Sequence, residues 1–266
     1  SMGLKVCTFT SPHLLELNER FRINDQPINN HDLVEACKSI LNQFDSFDLT
    51  FFECITLVAW VLFCEETPDI MIFEVGMGGR LDAVNALPIT TSIITSISID
   101  HEAHLGHTRW EINQEKLGIA RPKLPLIYTE QHITDQMQLD LNATCAEVMQ
   151  LDEQFNVSYV DDQFMFRVFE SVVKVSQLNL NEYATLAALG CVKKLYPVQF
   201  QEIHFKEVLS RIKLDGRYQC IHQHPKIWVD VAHNTASIEC LMQRWPFSAE
   251  NSVFVVAFKK GKSVFE

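Results

Sequence analysis

The sequence predicts an α/β protein with a doubly wound, mostly parallel sheet. Short apolar runs of strand length alternate with stretches whose apolar residues recur at helical spacing, an order typical of β-α-β units. Two apolar runs, 70–75 and 90–99, are continuous and β-branched, as expected for interior strands of a parallel sheet. With 266 residues, 47% of them hydrophobic, the chain can bury a substantial core.

The first part of the chain contains most of the predicted elements. Residues 5–10 are predicted as a strand, and residues 30–44 as a helix with Asn30 as its N-cap. The apolar face of that helix is predicted to contain Leu33, Cys37, Ile40, Leu41 and Phe44. Residues 51–66 are apolar nearly all round, which indicates a buried helix. Further along, the sequence predicts a helix at 107–120, a strand at 124–129, an irregular β region at 152–177 and a helix at 181–196.

A second, Rossmann-like α/β domain is predicted to begin near residue 212. The pattern restarts at 214–220 and continues with a strand at 226–232, a helix at 234–245 and a strand at 252–258. A single βαβ unit cannot cover its own sheet, so this domain is expected to be incomplete. We therefore assign residues 1–212 to a first domain and residues 213–266 to the start of a second.

The composition argues against several classes of partner and location. Lys and Arg number 22 and Asp and Glu 34, which gives a net charge of −12. No nucleic-acid or membrane partner is expected, because anionic phosphates need a basic surface. The eight cysteines are scattered without a CxxC pair, as in buried free thiols of a reducing compartment. No apolar run reaches the roughly 18 residues of a membrane span, and no signal peptide is recognised.

Polar side chains lie at the ends of three predicted strands. The strand at 5–10 runs into Ser11, the strand at 70–75 contains Glu74, and the strand at 90–99 runs into Asp100 and His101. Ligands of open parallel sheets bind at the carboxyl ends of the strands. A hydroxyl, a carboxylate and an imidazole with open positions suit Mg²⁺ or Mn²⁺ better than structural zinc. The alternative is that each is an ordinary polar residue at a strand end.

Spacing argues against three familiar motifs. Residues 100–107, DHEAHLGH, contain HExH rather than the HExxH of zinc hydrolases. Residues 259–263, KKGKS, lack the first glycine of a P-loop, because Val256 stands at that position. The run VGMGGR lacks the third glycine of the dinucleotide fingerprint, because Leu81 stands there. The glycines therefore indicate only a sharp turn or a close approach of the backbone.

Seven segments of the sequence resemble those of folylpolyglutamate synthases, in the order and spacing of that family. They are TSPHLLELNERFRIN, FFECITL, FEVGMGGRLDAVN, TSISIDHEAHLG, EKLGIAR, LDGRYQ and DVAHN. In bacteria these enzymes are often bifunctional with dihydrofolate synthase, and they belong to the Mur ligase superfamily. The resemblance covers most of residues 4–260 and implies the fold of a Mur ligase-like central ATPase domain.

The resemblance implies an ATP-dependent amide ligase. In this family a carboxylate of folate or dihydropteroate attacks the γ-phosphate of ATP, and the amine of L-glutamate then attacks the acyl phosphate. The protein supplies positioning and charge neutralisation in such a reaction. The resemblance further implies ATP and Mg²⁺ as cofactors, a monomer, and a cytoplasmic location.

The resemblance also implies catalytic and metal-binding residues. Ser11 and Glu74 match ligands of a first Mg²⁺, and Glu74 and His101 match ligands of a second. Lys116 matches a lysine that is carbamylated in the family, which turns a cation into a carboxylate-like group. The alternative for Lys116 is an ordinary exposed lysine on a helix.

Two further groups of residues match substrate contacts of the family. On the ATP side these are Asn181, Arg217, Asp230 and His233, and on the folate side Phe52, Arg80, Leu81, Asp82 and Ala83. His233 has the alternative of an ordinary polar residue at a strand end, and Phe52 that of a plain core residue.

The sequence departs from the family by lacking two segments. The glycine-rich GTNGKGS-type P-loop is expected shortly before Gly3, and most of the C-terminal glutamate-binding domain is expected after Glu266. Taken alone, the chain is predicted not to hydrolyse ATP, because its main phosphate cradle is missing. Two alternatives therefore stay open: a murein-type ligase that uses a UDP-muramoyl acceptor, and a catalytically inactive ligase-like binding module.

Overall fold

The computed structural model describes residues 2–42, 49–245 and 247–257. The α/β class predicted from the sequence is confirmed. The strands are β1 (Val6–Phe9), β2 (Phe21–Ile23), β3 (Gln26–Pro27), β4 (Ile70–Phe73), β5 (Ser92–Ile94), β6 (Pro125–Tyr128), β7 (Glu147–Gln150), β8 (Phe155–Val160), β9 (Gln163–Val168), β10 (Ser171–Val175), β11 (Gln219–Gln223) and β12 (Lys226–Val229). The α-helices are α1 (Asn30–Leu41), α2 (Phe51–Glu66), α3 (Glu102–Leu105), α4 (Arg109–Leu117), α5 (Asp135–Ala143), α6 (Glu182–Leu195), α7 (Glu202–Arg211) and α8 (Thr235–Arg244).

Two strands that the sequence predicts to precede polar site residues are direct neighbours. One sheet has the order β3-β2-β1-β4. In it β1 and β4 are parallel, with Val6 opposite Ile70 and Phe9 opposite Phe73. Just past β4, the backbone N–H of Glu74 donates to the carbonyl of Phe9 at 2.8 Å. The carboxyl ends of β1 and β4 therefore meet at the same edge of this sheet. A further sheet has the order β5-β6-β7.

The chain forms two compact units, each with most of its contacts within itself. The first comprises Ser1–Ile94, Asn113–Leu126 and Ile133–Val148, and the second Thr95–Ile112, Ile127–His132 and Met149–Glu266. The predicted domain boundary near residue 212 stays a prediction.

The core of the first unit lies between the β1–β4 sheet and helices α1 and α2. Phe9 is fully buried, and its ring centroid lies 5.3 Å from that of Phe21 and 5.9 Å from that of Phe73. Helix α2 has the predicted bounds and begins with a capping box formed by Thr50 and Glu53. The helix is buried on one face only, although the sequence predicts burial nearly all round. Phe51, for example, is 60% exposed.

The second unit contains an antiparallel β layer covered by helices. Strands β8, β9 and β10 form a meander in the order β10-β9-β8, in the region predicted as irregular β structure. Its apolar side packs against α6 around buried Phe155, Phe166 and Leu186. Gly190 of α6 permits close packing here, since a Cβ at that position would lie 2.7 Å from the Phe155 ring.

The predicted start and apolar face of α1 need correction. The N-cap is Asn29 rather than Asn30, because the Asn29 side chain accepts a hydrogen bond from the backbone N–H of Asp32 at 2.9 Å. Leu33 and Ile40 are buried as predicted, whereas Leu41 is 46% exposed at the end of the helix. Phe44 lies outside the described residues.

The correction of this N-cap gives a matched pair of variants. Asn29→Ala should lower the free energy of unfolding by about 1 kcal/mol, because an N–H of the first turn loses its acceptor. Asn30→Ala should change it by less than about 0.5 kcal/mol, since position 30 lies within the helix. Urea unfolding of both variants measures the difference. Equal losses would contradict the assignment of Asn29 as the cap.

The predicted C-terminal βαβ unit is wrong in two respects. Strands β11 and β12 form an antiparallel hairpin, with Gln219 opposite Val229, before α8 begins. Residues 252–257 form no strand, and Val253 and Val255 are 91% and 93% exposed. Apolar β-branched composition alone does not make a strand, because the backbone also needs a neighbour to complete its hydrogen bonds. Residues 258–266 lie outside the described residues.

The predicted strand at 90–99 is also shortened, to β5 at Ser92–Ile94. The eight cysteines are free, as predicted, but only Cys7 is fully buried, and Cys64 and Cys145 are exposed. Among the residues described, none of the helices is long and apolar enough to cross a membrane.

Candidate active site

Ser11 and Glu74 come together at the edge where β1 and β4 end. The backbone N–H of Ser11 donates to Glu74 Oε2 at 2.8 Å. The contact follows from the parallel register, which places the residues after Phe9 beside those after Phe73. The arrangement brings a hydroxyl and a carboxylate, two hard oxygen ligands, to one strand edge.

A buried cation lies near enough to this carboxylate to sense its charge, and the sequence-based prediction missed it. Arg20 is only 9% exposed, and its Nε donates to His13 Nδ1 at 2.9 Å. Burial lowers the pKa of Arg20, and the nearby charge of Glu74 opposes that shift. Its guanidinium carbon lies 5.8 Å from the centroid of the Phe51 ring. The only available signal was a basic residue within the TSPHLLELNERF segment.

The glycine run after Glu74 is organised by Asp82. One carboxylate oxygen, Oδ2, accepts hydrogen bonds from the backbone N–H groups of Gly76 and Met77, each at 3.0 Å. The other, Oδ1, accepts from the N–H of Val84 at 2.9 Å and caps a short 3₁₀ helix that begins at Ala83. Asp82 therefore fixes the shape of the loop, a role in addition to any substrate contact.

Arg80 contacts helix α4 at Glu115, the residue before Lys116. The guanidinium of Arg80 forms an ion pair with Glu115, with Nη2 at 2.8 Å from Oε1, and this pair raises the pKa of Arg80. The backbone N–H of Arg80 also donates to the Glu115 carbonyl at 2.8 Å. Gly79 has a φ of +154°, and a Cβ there would lie 2.9 Å from the Glu115 carbonyl and 3.2 Å from that of Lys116. The loop thus packs directly on the last turn of α4.

The other residues predicted on the folate side differ in burial: Phe52 packs in the core, whereas Leu81 is exposed. Phe52 packs against the core, and a Cβ on Gly76 would lie 2.7 Å from its ring. Leu81 is 81% exposed, between two residues whose side chains are engaged within the loop region. Of this group, Leu81 is the side chain most accessible to a ligand.

The role of Asp82 predicts a loss of stability in its variants. Asp82→Ala should lower the free energy of unfolding by about 2 kcal/mol, because three backbone N–H groups lose a charged acceptor. Asp82→Asn retains acceptor capacity and should lose less than the alanine variant. Urea unfolding checks this, and a stability of Asp82→Ala equal to wild type would contradict it.

The residues predicted on the ATP side lie in the second unit, and two of them are held by local hydrogen bonds. The Asp230 carboxylate accepts from the backbone N–H groups of Tyr218 and Ala232, both at 2.7 Å, and so holds the residue after Arg217. Asn181 caps α6 by accepting from Tyr183 and Ala184 at 3.0 and 2.9 Å. Arg217 itself is exposed.

His101 and His233 also lie in the second unit. His101 precedes α3 in a left-handed conformation, with a φ of 53°. His233 precedes α8, with its Nδ1 at 3.0 Å from the Val231 carbonyl oxygen. Its Nε2 lies 3.3 Å from Asp100 Oδ2.

A buried ion pair supports the segment that leads to His101. Glu130 is 3% exposed and accepts hydrogen bonds from Arg109 Nη2 at 2.5 Å and from the backbone N–H groups of His132 and Ile97. Arg109 Nε in turn donates to the Ile97 carbonyl at 3.0 Å. Burial raises the pKa of the adjacent Tyr128, and the charge of Glu130 raises it further. No local sequence pattern had indicated this pair.

Among the residues described, no group of three or more His, Cys, Asp and Glu side chains is arranged to hold a metal ion. A hydroxyl and a carboxylate at one edge nevertheless match the chemistry of Mg²⁺, which keeps several waters and uses only one or two carboxylates together with substrate phosphates. The donor set therefore fits such an ion when phosphate oxygens complete it.

The fold and the residues at the strand ends define the class of the protein as α/β with a Mur ligase-like fold. The structure of E. coli FolC in complex with DHPP and ADP matches with a TM-score of 0.86 and 29% identity, over 91% of this chain and 59% of that chain. A bifunctional folylpolyglutamate synthase/dihydrofolate synthase with Mn, AMPPNP and L-glutamate bound matches with a TM-score of 0.83 and 30% identity, over the same shares. No protein-family model matches the sequence.

Sequence similarity identifies the family. The dihydrofolate synthase/folylpolyglutamate synthase of Buchnera aphidicola (subspecies Acyrthosiphon pisum) is 32% identical over 244 residues, which are 91% of this chain and 59% of the relative. The chain belongs to the dihydrofolate synthase/folylpolyglutamate synthase family, as its motifs predicted. It spans less than two thirds of the length of that relative.

Proposed function

We propose that the protein, as its complete natural chain, is an ATP-dependent ligase that adds L-glutamate to folate, and also to dihydropteroate, through an acyl phosphate. The observation that supports this most directly is the contact of Ser11 with Glu74 at adjacent strand ends, beside the buried Arg20. Relatives with ADP and DHPP, or with Mn, AMPPNP and L-glutamate bound, support a nucleotide, a divalent metal and these substrates.

Different residues of this chain would have different roles in such a reaction. Ser11 and Glu74 would hold one Mg²⁺, and His101 would be a ligand of a second, and these ions would neutralise the phosphate charge that develops during transfer. Arg20 is buried, and the nearby negative charge of Glu74 favours its charged form. Lys116, as a carbamate, would add a further anionic group on the last turn of α4.

ATP and the folate acceptor are proposed to contact separate groups of residues. Arg217, Asp230, His233 and Asn181 serve the nucleotide, and Asp230 acts by holding the backbone next to Arg217. Phe52, Leu81 and Ala83 line the folate side, where Arg80 and Asp82 keep the loop in shape. A boundary near residue 212, a monomeric state and a cytoplasmic location complete the proposal.

An assay of ADP release tests the proposal. The protein expressed from its complete reading frame is supplied with Mg²⁺-ATP and L-glutamate, with tetrahydrofolate and dihydropteroate in parallel reactions. ADP release that needs both acceptor and glutamate supports a folate ligase, and the dihydropteroate reaction decides whether the protein is bifunctional. A UDP-muramoyl acceptor is the control for a murein-type ligase. No ADP release with any acceptor would leave only the inactive binding module.

A further inference from the structure

Asp100 lies between the segment that carries His101 and the loop that carries His233. Its Oδ1 accepts a hydrogen bond from the backbone N–H of His101 at 2.7 Å. Its Oδ2 accepts one from Asn234 Nδ2 at 3.0 Å, although Asn234 is 134 positions away in the sequence. The Asp100 side chain is 16% exposed. All of these residues belong to the second unit, so the contacts lie within one compact part of the chain.

The first of these hydrogen bonds supports an uncommon backbone conformation. His101 has φ and ψ of 53° and 36°, in the left-handed region that non-glycine residues rarely adopt. The N–H of this residue is held by the carboxylate of the preceding residue. The orientation of the His101 imidazole depends on this turn, because α3 starts at the next residue.

The second hydrogen bond has a fixed direction. Asn234 Oδ1 accepts from the backbone N–H of Ser237 at 2.9 Å and so caps α8. The amide of Asn234 cannot turn over without losing this cap, and its Nδ2 must therefore face Asp100 as a donor. The group at position 100 consequently has to accept a hydrogen bond on this side.

We propose that Asp100 is a positioning residue that holds His101 and the loop of His233 in one arrangement through its two carboxylate oxygens. The proposal deepens the ligase function above and rests on it, since His101 is there assigned to a metal and His233 to the nucleotide. Asp100 itself acts through these neighbours.

An exchange of the two side chains tests the proposal. Asp100→Asn alone places two amide donors against each other. Asn234→Asp alone keeps an acceptor for the cap of α8 but sets two carboxylates against each other. The double variant, Asp100→Asn with Asn234→Asp, restores a donor and an acceptor in reversed order, and His233 Nε2, which lies 3.3 Å from Asp100 Oδ2, can accept from the new amide. It also keeps an acceptor for the N–H of His101 and one for that of Ser237.

The ligase reaction of the full chain provides the readout. Each single variant should lower kcat at saturating Mg²⁺-ATP by about tenfold or more, with the KM for the folate acceptor changed by less than about twofold. The double variant should recover to within about threefold of wild type, because the coupling between the two positions is restored. A purely structural role would lower the midpoint of unfolding without this selective loss of kcat.

Two results would overturn the proposal. One is a loss of less than about threefold in both single variants, and the other is a double variant no more active than the weaker single variant. Hydrogen exchange separates this failure from failure of the ligase function. If wild type performs no ligation, the His101 amide should still exchange about tenfold faster in Asp100→Ala than in wild type, since it loses its acceptor. Unchanged exchange would reject the positioning role independently of any activity.

Discussion

Glu74→Ala in the complete protein should lower kcat by at least about 100-fold, which corresponds to about 2.7 kcal/mol of transition-state stabilisation. In the proposed function Glu74 would hold Mg²⁺ together with Ser11, so its removal would take the anionic ligand from that site. The same substitution leaves Arg20 without its opposing charge and removes the acceptor of the Ser11 N–H. Steady-state ADP release at saturating substrates measures the loss.

Glu74→Gln is the matched control for this variant. The glutamine retains an oxygen that can accept from Ser11, so the strand edge should stay folded, while the charge needed for cation binding is lost. We expect kcat of Glu74→Gln to fall nearly as far as that of Glu74→Ala, with a smaller change in the midpoint of unfolding. A Glu74→Ala enzyme that keeps more than about a tenth of wild-type kcat, a cost below about 1.4 kcal/mol, would exclude this metal-binding role of Glu74.

Arg109→Met should lower the free energy of unfolding by about 3 kcal/mol, because it leaves the buried carboxylate of Glu130 without its cation. Glu130 is 3% exposed and has no compensating access to water, while Arg109 is about a third exposed. Urea unfolding followed by circular dichroism checks the value. The segment from Ile97 to His101 should loosen as well, since Arg109 and Glu130 both bond to Ile97.

Arg121→Met is the control for Arg109→Met. Arg121 also donates to backbone carbonyls, those of Gly118, Ala120 and Asn85, but it pairs with no buried carboxylate among the contacts described. Its loss should cost about 1.5 kcal/mol, less than that of Arg109, because it removes hydrogen bonds from a cation but leaves no buried charge without a partner. If both arginine variants lost equal stability, the buried charge of Glu130 would not be the cause.

Features that depend on residues close together in the sequence were predicted more accurately than features that depend on tertiary contacts. Helix α2 was placed with its observed bounds because an unbroken apolar stretch lies within one segment, and the structure adds a capping box of Thr50 and Glu53 at its start. The contact of Ser11 with Glu74 was also within reach, since parallel neighbours bring their carboxyl ends to one edge. The N-cap of α1 was misplaced by one residue because Asn29 and Asn30 are both good caps, and only the backbone distinguishes them.

By itself, the sequence determined the α/β class, the helices and strands with a strong local pattern and, through its motifs, the family. These follow from local periodicity and from short segments that stay adjacent in the chain. Only the tertiary structure decided that Arg20 stands beside Glu74, that Asp82 organises the glycine loop, and that Asn234 reaches Asp100. It also decided that residues 252–257 form no strand. Such contacts depend on which groups the fold brings together to satisfy buried charges and backbone hydrogen bonds, and no local pattern specifies those partners.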